Sequence, residues 1–282
     1  IAHCQKRDTS LESQYVSSIL EKIVHHKLGE IEAAKQRNPL AELEARLSEV
    51  VPPLDFCSAL TTGAQQGRVS LIAEVKKASP SKGVIRDDFD PVAIARTYAR
   101  SGAACISVLT DEHFFQGSLE YLVSIRQSVS VPLLRKDFIL DEYQVVEARV
   151  AGADGVLLIA ECLTPSRLIE LHRMIESLGM TALVELYDER NIPAVLACQP
   201  RLVGVNNRDL NTFEIDLMHS IRVKESLPQG IAMVSESGVF THQDVQLMRD
   251  NSVDAILVGE SLMRSEDIAM AVETLMGDQL LP

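Results

Sequence analysis

Beyond residue 70 the chain alternates short apolar runs with helix-length stretches. The runs are LIAEV (71–75), CISVLT (105–110), PLLRKDF (132–138), GVLLIAE (155–161), ALVEL (182–186), LVGVNN (202–207), AMVSES (232–237) and AILVGE (255–260). Runs that stay apolar at successive positions suit strands covered on both faces, as in a parallel sheet. Between them lie helix signals: Asp90 followed by Pro91 opens one helix and Gly102 closes it. From Leu71 to Ala255 the chain advances 184 residues in seven steps, about 26 per unit, enough for a strand, a crossover helix and two tight loops. The segments AACISVL (103–109), ADGVLLI (153–159) and VDAILVG (253–259) also echo one another, as repeated units do. Eight such units predict an α/β fold, a closed (β/α)8 TIM barrel over 71–282. An open doubly wound sheet would usually show G-x-G-x-x-G after its first strand, and that motif is absent.

The first 70 residues read differently. After a frayed, mainly polar start over residues 1–10, Val16, Ile19, Ile23, Leu28 and Ile31 recur at helical spacing from Ser10 to about Lys35. Asn38-Pro39 ends that helix, a second runs through about Leu47, and Val51-Pro52-Pro53 marks a hinge. The prediction is an N-terminal helical extension over 1–70 that packs on the barrel. His25 and His26 are adjacent, so they face different ways on a helix and are read as surface residues.

Composition narrows the classes of function. A net charge of −13 without a basic cluster argues against a nucleic-acid partner. No apolar run nears the ~18 residues of a membrane-spanning helix, and no signal-peptide core is visible. Five dispersed cysteines without a C-x-x-C pair suggest free thiols, no metal and a cytoplasmic location. A monomer is favoured.

In such barrels chemistry gathers where strands end, so polar residues interrupting those ends are the candidates. Residues two apart share a face: Glu74 with Lys76, Lys136 with Phe138, Asn206 with Arg208, and Ser235 with Ser237, while Glu185 ends the fifth strand. Asp137 falls on the face opposite Lys136. Unpaired burial of a lysine or glutamate costs several kcal/mol, so two of each at three strand ends mark either a catalytic site or a set of structural ion pairs. Glycines in Ser237-Gly238 and Gly259-Glu260-Ser261, opposite the serine-rich basic loop KKASPSKG (76–83), suggest a phosphorylated small-molecule substrate.

Seven segments, LIAEVKKASPSKG (71–83), SVLTDEHFFQGS (107–118), LLRKDFILDEYQ (133–144), LVEL (183–186), GVNNRDL (204–210), VSESGV (234–239) and LVGESLM (257–263), resemble in order the motifs of the indole-3-glycerol phosphate synthase family. The resemblance implies ring closure, decarboxylation and dehydration of 1-(2-carboxyphenylamino)-1-deoxyribulose 5-phosphate, without cofactor. It implies Lys136 as general acid on the ketone; desolvation by Phe138 is expected to lower the pKa of that ammonium toward working pH. Lys76 would hold the substrate carboxylate, balanced by Glu74, which is also a candidate base in the dehydration. Glu185 would act near the anilino nitrogen, and Asn206 and Ser237 on the ribulose hydroxyls, with Arg208 in support. Phe115, Phe138 and Leu157 would form the slot for the aromatic ring, and Ser79, Gly238, Gly259 and Glu260 would cradle phosphate. Tyr187, where a smaller polar residue is common, and the extra carboxylate of Glu161 depart from the family pattern. An isomerase, a Schiff-base aldolase and an inactive scaffold are the competing readings. The isomerase would call for a Cys–Asp pair on the first and fifth strands, which here carry Glu74, Lys76 and Glu185.

Overall fold

The computed structural model describes residues 19–209, 212 and 214–280. Eight parallel strands, each begun inside one of the apolar runs or one residue before it, close into a barrel in chain order. They are β1 (Ser70–Val75), β2 (Cys105–Leu109), β3 (Leu133–Lys136), β4 (Gly155–Ile159), β5 (Thr181–Leu186), β6 (Leu202–Asn206), β7 (Ala232–Glu236) and β8 (Ala255–Val258). Closure comes from β1 against β8, with Ser70 opposite Ala255 and Ala73 opposite Val258. Six of the strands end earlier than their apolar runs, because residues such as 137–138 and 160–161 already turn into loops or a 3-10 helix. Asp90 caps the helix Pro91–Arg100 by accepting from the amides of Val92 and Ala93.

Alternation along each strand divides the core in two. Ile72, Leu134, Leu157, Leu183, Val234 and Leu257 point into the barrel, where they form one apolar cluster. The intervening residues, such as Leu71, Val156, Val184 and Ile256, pack against the surrounding helices. The helix Phe56–Ala64 plugs the barrel floor: Phe56 and Leu60 are fully buried in the interior cluster. The Phe56 ring lies 3.2 Å from where a Cβ on Gly155 would stand, so glycine there lets the plug seat. Below it, the Asp154 carboxylate accepts from the amides of Leu54 and Leu133 and from Arg126, each within 2.8 Å. That ties the extension to the barrel at a buried, fully bonded carboxylate.

The first helix runs Ile19–Arg37; its expected portion before Ile19, with Val16, lies outside the described residues, as does Cys4. Its buried face is Ile23, Lys27 and Ile31, not Leu28, which is half exposed. A lysine therefore occupies the centre of the apolar stripe. Its ammonium sits 2.8 Å from Asp111, 2.9 Å from Asp137 and 2.6 Å from Glu30. His26 beside it is half buried, stacked on His113 with ring centroids 4.1 Å apart, while His25 stays exposed. Replacing Lys27 by methionine strands two buried carboxylates, and breaking a buried pair from one side costs about 3–5 kcal/mol. Asp137 keeps Arg135 and Thr110, so the lower end applies. At about 2–4 °C per kcal/mol, thermal unfolding of Lys27→Met is expected roughly 6–12 °C below the parent; an unchanged midpoint would remove the clasp from the account.

Among the described residues Cys57, Cys105, Cys162 and Cys198 are unpaired thiols, and no described helix is long and apolar enough to cross a membrane.

Candidate active site

A barrel interior is built of layers of four side chains drawn from alternate strands. Here the uppermost layer of the odd-numbered strands is polar: Glu74 from β1, Lys136 from β3, Glu185 from β5 and Glu236 from β7. The geometry follows from that convergence. The Lys136 ammonium lies 2.6 Å from Glu236 and 3.7 Å from both Glu74 and Glu185. One step beyond the layer, Lys76 pairs with Glu74 at 2.6 Å. Asn206, at the end of β6, donates to Glu185 at 3.1 Å and accepts from the Arg208 amide at 3.0 Å.

The charges divide unequally. Burial alone would lower the Lys136 pKa, but the carboxylates of Glu236, Glu185 and Glu74 outweigh it and hold the ammonium well above the ordinary lysine value. This corrects the expectation that desolvation by Phe138 lowers it. Burial works against the charge on Glu74 too, but Lys76 and Lys136 overcome it and keep that carboxyl below its usual range. Glu185 goes the other way. Burial, reinforced by the charge of Glu236, pushes it up to about 8, against the pull of Lys136 and Asn206. Two glutamates of one layer thus hold their protons at different pH, the arrangement that separates acid from base roles.

The fourteen residues to which the resemblance gives roles all line one cleft above this layer. Phe115 and Phe138 stand with ring centroids 6.2 Å apart, over Leu157. The Lys27 cluster pins the chain behind them: Asp111 accepts from the amide of Phe114, the residue before Phe115, and Asp137 from that of Phe138. Asp137 indeed faces away from Lys136, toward Lys27, Arg135 and Thr110. On the far wall Ser237 and Gly238 both adopt positive φ, 64° and 87°. Ser79 belongs to a two-residue strand, Ala78–Ser79, paired with Gly83–Val84; its hydroxyl, like that of Ser261, is buried without a hydrogen-bond partner among the described residues. Glu260 turns its carboxylate to Arg264 at 3.1 Å, with Arg208 at 3.9 Å. Gly259 has a second reason to be glycine: a Cβ there would stand 2.5 Å from the Glu74 carboxylate.

Ser235 does not share the face of the site. It lies among the helices, bonded to Asn207 and Ser220 at 2.9 and 2.8 Å. Ala232 and Val234 point inward, so two-residue alternation assigns position 236 to the site and 235 to the outside. Glu236 was therefore recoverable from the sequence, and Ser237 reaches the cleft only through its left-handed backbone. Glu161 is absorbed locally: its carboxylate accepts from the amides of Tyr187 and Asp188 and from Asn191. The Tyr187 ring packs on His219, with centroids 5.1 Å apart. Ile19, Leu20 and Ile23 of the first helix complete the cleft's apolar rim.

Comparison with known proteins points one way. The family model for indole-3-glycerol phosphate synthase matches residues 20–275. The chain is similar to the indole-3-glycerol phosphate synthase of Rhodopirellula baltica, 54% identical over 84% of this chain and 91% of that one. It is 47% identical to that of Polaromonas naphthalenivorans, over 93% of this chain and all of the relative. Among solved structures, KGPDC from Streptococcus mutans superposes with a TM-score of 0.59 at 14% identity, covering 75% of this chain and 97% of that one; this shows the barrel fold alone. With a family match spanning the barrel and its helical extension, and relatives near half identical over almost their whole lengths, the chain belongs to the indole-3-glycerol phosphate synthase family.

Proposed function

We propose that the cleft closes the indole ring of 1-(2-carboxyphenylamino)-1-deoxyribulose 5-phosphate, releasing carbon dioxide and water, with Lys136 as general acid. The observation that carries this reading is an ammonium held charged by three carboxylates at the floor of a cleft with an aromatic slot on one wall. As the ring carbon bearing the carboxylate attacks the ketone carbon, the ketone oxygen gains negative charge. A developing alkoxide is a stronger base than an amine, so even a high-pKa ammonium gives up its proton at that moment. Lys76, free on one side to meet an anion, holds the substrate carboxylate until the bond to it breaks and carbon dioxide leaves.

Dehydration then needs a proton on the departing hydroxyl, which the Lys76 ammonium can give, and a base for one proton of the methylene carbon next to the ring nitrogen, so that the indole N–H is kept. Glu185 suits the base role, because its carboxyl titrates near neutrality. Glu74, proposed from the resemblance as that base, is held low by two ammonium groups and serves better to keep them charged. Asn206 and Ser237 hydrogen-bond the ribulose hydroxyls, and Arg208 supports Asn206 through its amide. Phe115, Phe138 and Leu157 receive the aromatic ring. The Ser79 hydroxyl and the amides of Gly238, Gly259 and Glu260 take the phosphate, supported by an unpartnered serine hydroxyl at that wall. Acid and base from side chains suffice for this sequence of steps, so no cofactor enters it.

The same reading has the protein acting as a monomer in the cytoplasm. The first helix already covers its apolar face with its own barrel, and reduced thiols suit that compartment. The test is the growth of indole fluorescence when the carboxyphenylamino-deoxyribulose phosphate is added to purified protein, with stoichiometric release of carbon dioxide. A folded protein that binds the compound yet yields neither signal would overturn the proposal.

A further inference from the structure

The floor of the cleft is crowded, yet the Glu236 carboxylate finds space against β6. Gly204 sits there in the interior series of that strand, two residues before Asn206, opposite Glu185 on one side and Val234 on the other. A Cβ built on Gly204 would stand 2.3 Å from Oε1 of Glu236 and 3.3 Å from the Leu183 side chain. No real Cβ tolerates the first contact. The same Oε1 is buried and has no hydrogen-bond partner among the described residues, while Oε2 accepts from Lys136 at 2.6 Å. The carboxylate is therefore held by its bond to the ammonium, by the neighbouring Glu185 carboxyl and by the shape of the notch behind it. Backbone freedom is not what glycine supplies here, since Gly204 is not among the residues of positive φ. The missing side chain is what counts.

We propose that Gly204 is a positioning residue for the reaction: the notch left by its absent Cβ sets Glu236 against Lys136. The proposal rests on the assignment of Lys136 as the acid. Gly259 does the corresponding thing for Glu74 on the other side of the ring of charges, with a Cβ distance of 2.5 Å. Odd-numbered strands supply the four charged groups, and even-numbered strands supply two glycines that make room for them. Because the atom displaced by a methyl group is the far end of a flexible side chain, Gly204→Ala is expected to fold, with Glu236 moved off the ammonium.

The experiment is a cycle of Gly204→Ala and Glu236→Ala, read by kinetics and by thermal unfolding. In the parent, Gly204→Ala is expected to lower kcat by roughly tenfold to a hundredfold, below the full contribution of a positioned acid. KM should move less than threefold, since the phosphate and ring contacts stand elsewhere. The unfolding midpoint should fall in the parent but not in the Glu236→Ala background, where the methyl group meets no carboxylate; two residues acting through one contact are non-additive. Equal losses of midpoint in both backgrounds would show a general packing defect and overturn the proposal, as would an unchanged kcat. The midpoints remain readable if Glu236→Ala is inactive. Lys136→Met, run beside them, separates the two ideas: its retention of activity defeats the acid assignment while the midpoint cycle still judges the notch.

Discussion

Lys136→Met is expected to bind substrate and to lose about 10²- to 10⁴-fold in kcat, the usual contribution of a positioned general acid. The stability of this variant should depend on pH in a way that reveals the carboxylates around it. With the ammonium gone, Glu74, Glu185 and Glu236 share a buried layer, and Lys76 remains beside only the first. Leaving buried charge uncompensated costs about 3–5 kcal/mol, unless the carboxyls take up protons. They will do so at a higher pH than in the unfolded chain, so their folded pKa values rise. A carboxyl with a raised folded pKa stabilises below its unfolded pKa, and that stabilisation is lost as pH rises through the folded value. The variant should therefore nearly match the parent at pH 5 and fall behind it at pH 8. Thermal unfolding across that range checks this, and continuous fluorescence checks the rate. If Lys136→Met kept kcat within tenfold of the parent, the acid would have to be sought elsewhere, with Lys76 the next group in reach.

The barrel was legible because every strand is buried on both faces. Such strands have no polar side to interrupt them, so their apolar runs stand out against helices that keep a wet face. Site residues were legible for the converse reason: Glu74 and Glu185 break runs that are otherwise apolar, and Lys136 lies in the polar end of a third. What escaped did so where local pattern and tertiary context part company. In VSES (234–237) three polar residues in succession offered two faces, and only the inward phase of Ala232 and Val234 selects Glu236. Lys27 was passed over in favour of Leu28 because hydrophobicity was expected to define the buried stripe. The partners that make its burial tolerable, Asp111 and Asp137, lie 84 and 110 residues away. The resemblance to a known family supplied the roles that spacing alone left open. It could not supply the charge balance, which depends on three carboxylates meeting one ammonium in space, and so the Lys136 pKa came out on the other side of its ordinary value.

Glu185→Gln should separate activity from stability. In the parent, the carboxyl titrates near 8 because it is buried and faces Glu236, so kcat/KM is expected to rise with pH through that region as the base form appears. Replacing the acid by its amide removes the base, flattens that limb and lowers kcat by about 10²- to 10⁴-fold. Stability should move the other way. A folded pKa of about 8 lies above the ordinary glutamate value, so the group's stabilising contribution is complete only below about pH 4.3 and is lost as pH climbs to 8. Above that, the parent must keep a second carboxylate charged beside Glu236, whereas the amide of the variant carries no charge and can still accept from Asn206. The unfolding midpoint of Glu185→Gln should thus equal the parent's near pH 5 and exceed it at pH 9. A difference that stays constant with pH would mean that Glu185 titrates in its ordinary range, and the base would then have to be reassigned. A growing difference would show that the layer holds a carboxyl out of its preferred state for the sake of a proton transfer, with the destabilisation it causes offset elsewhere in the fold.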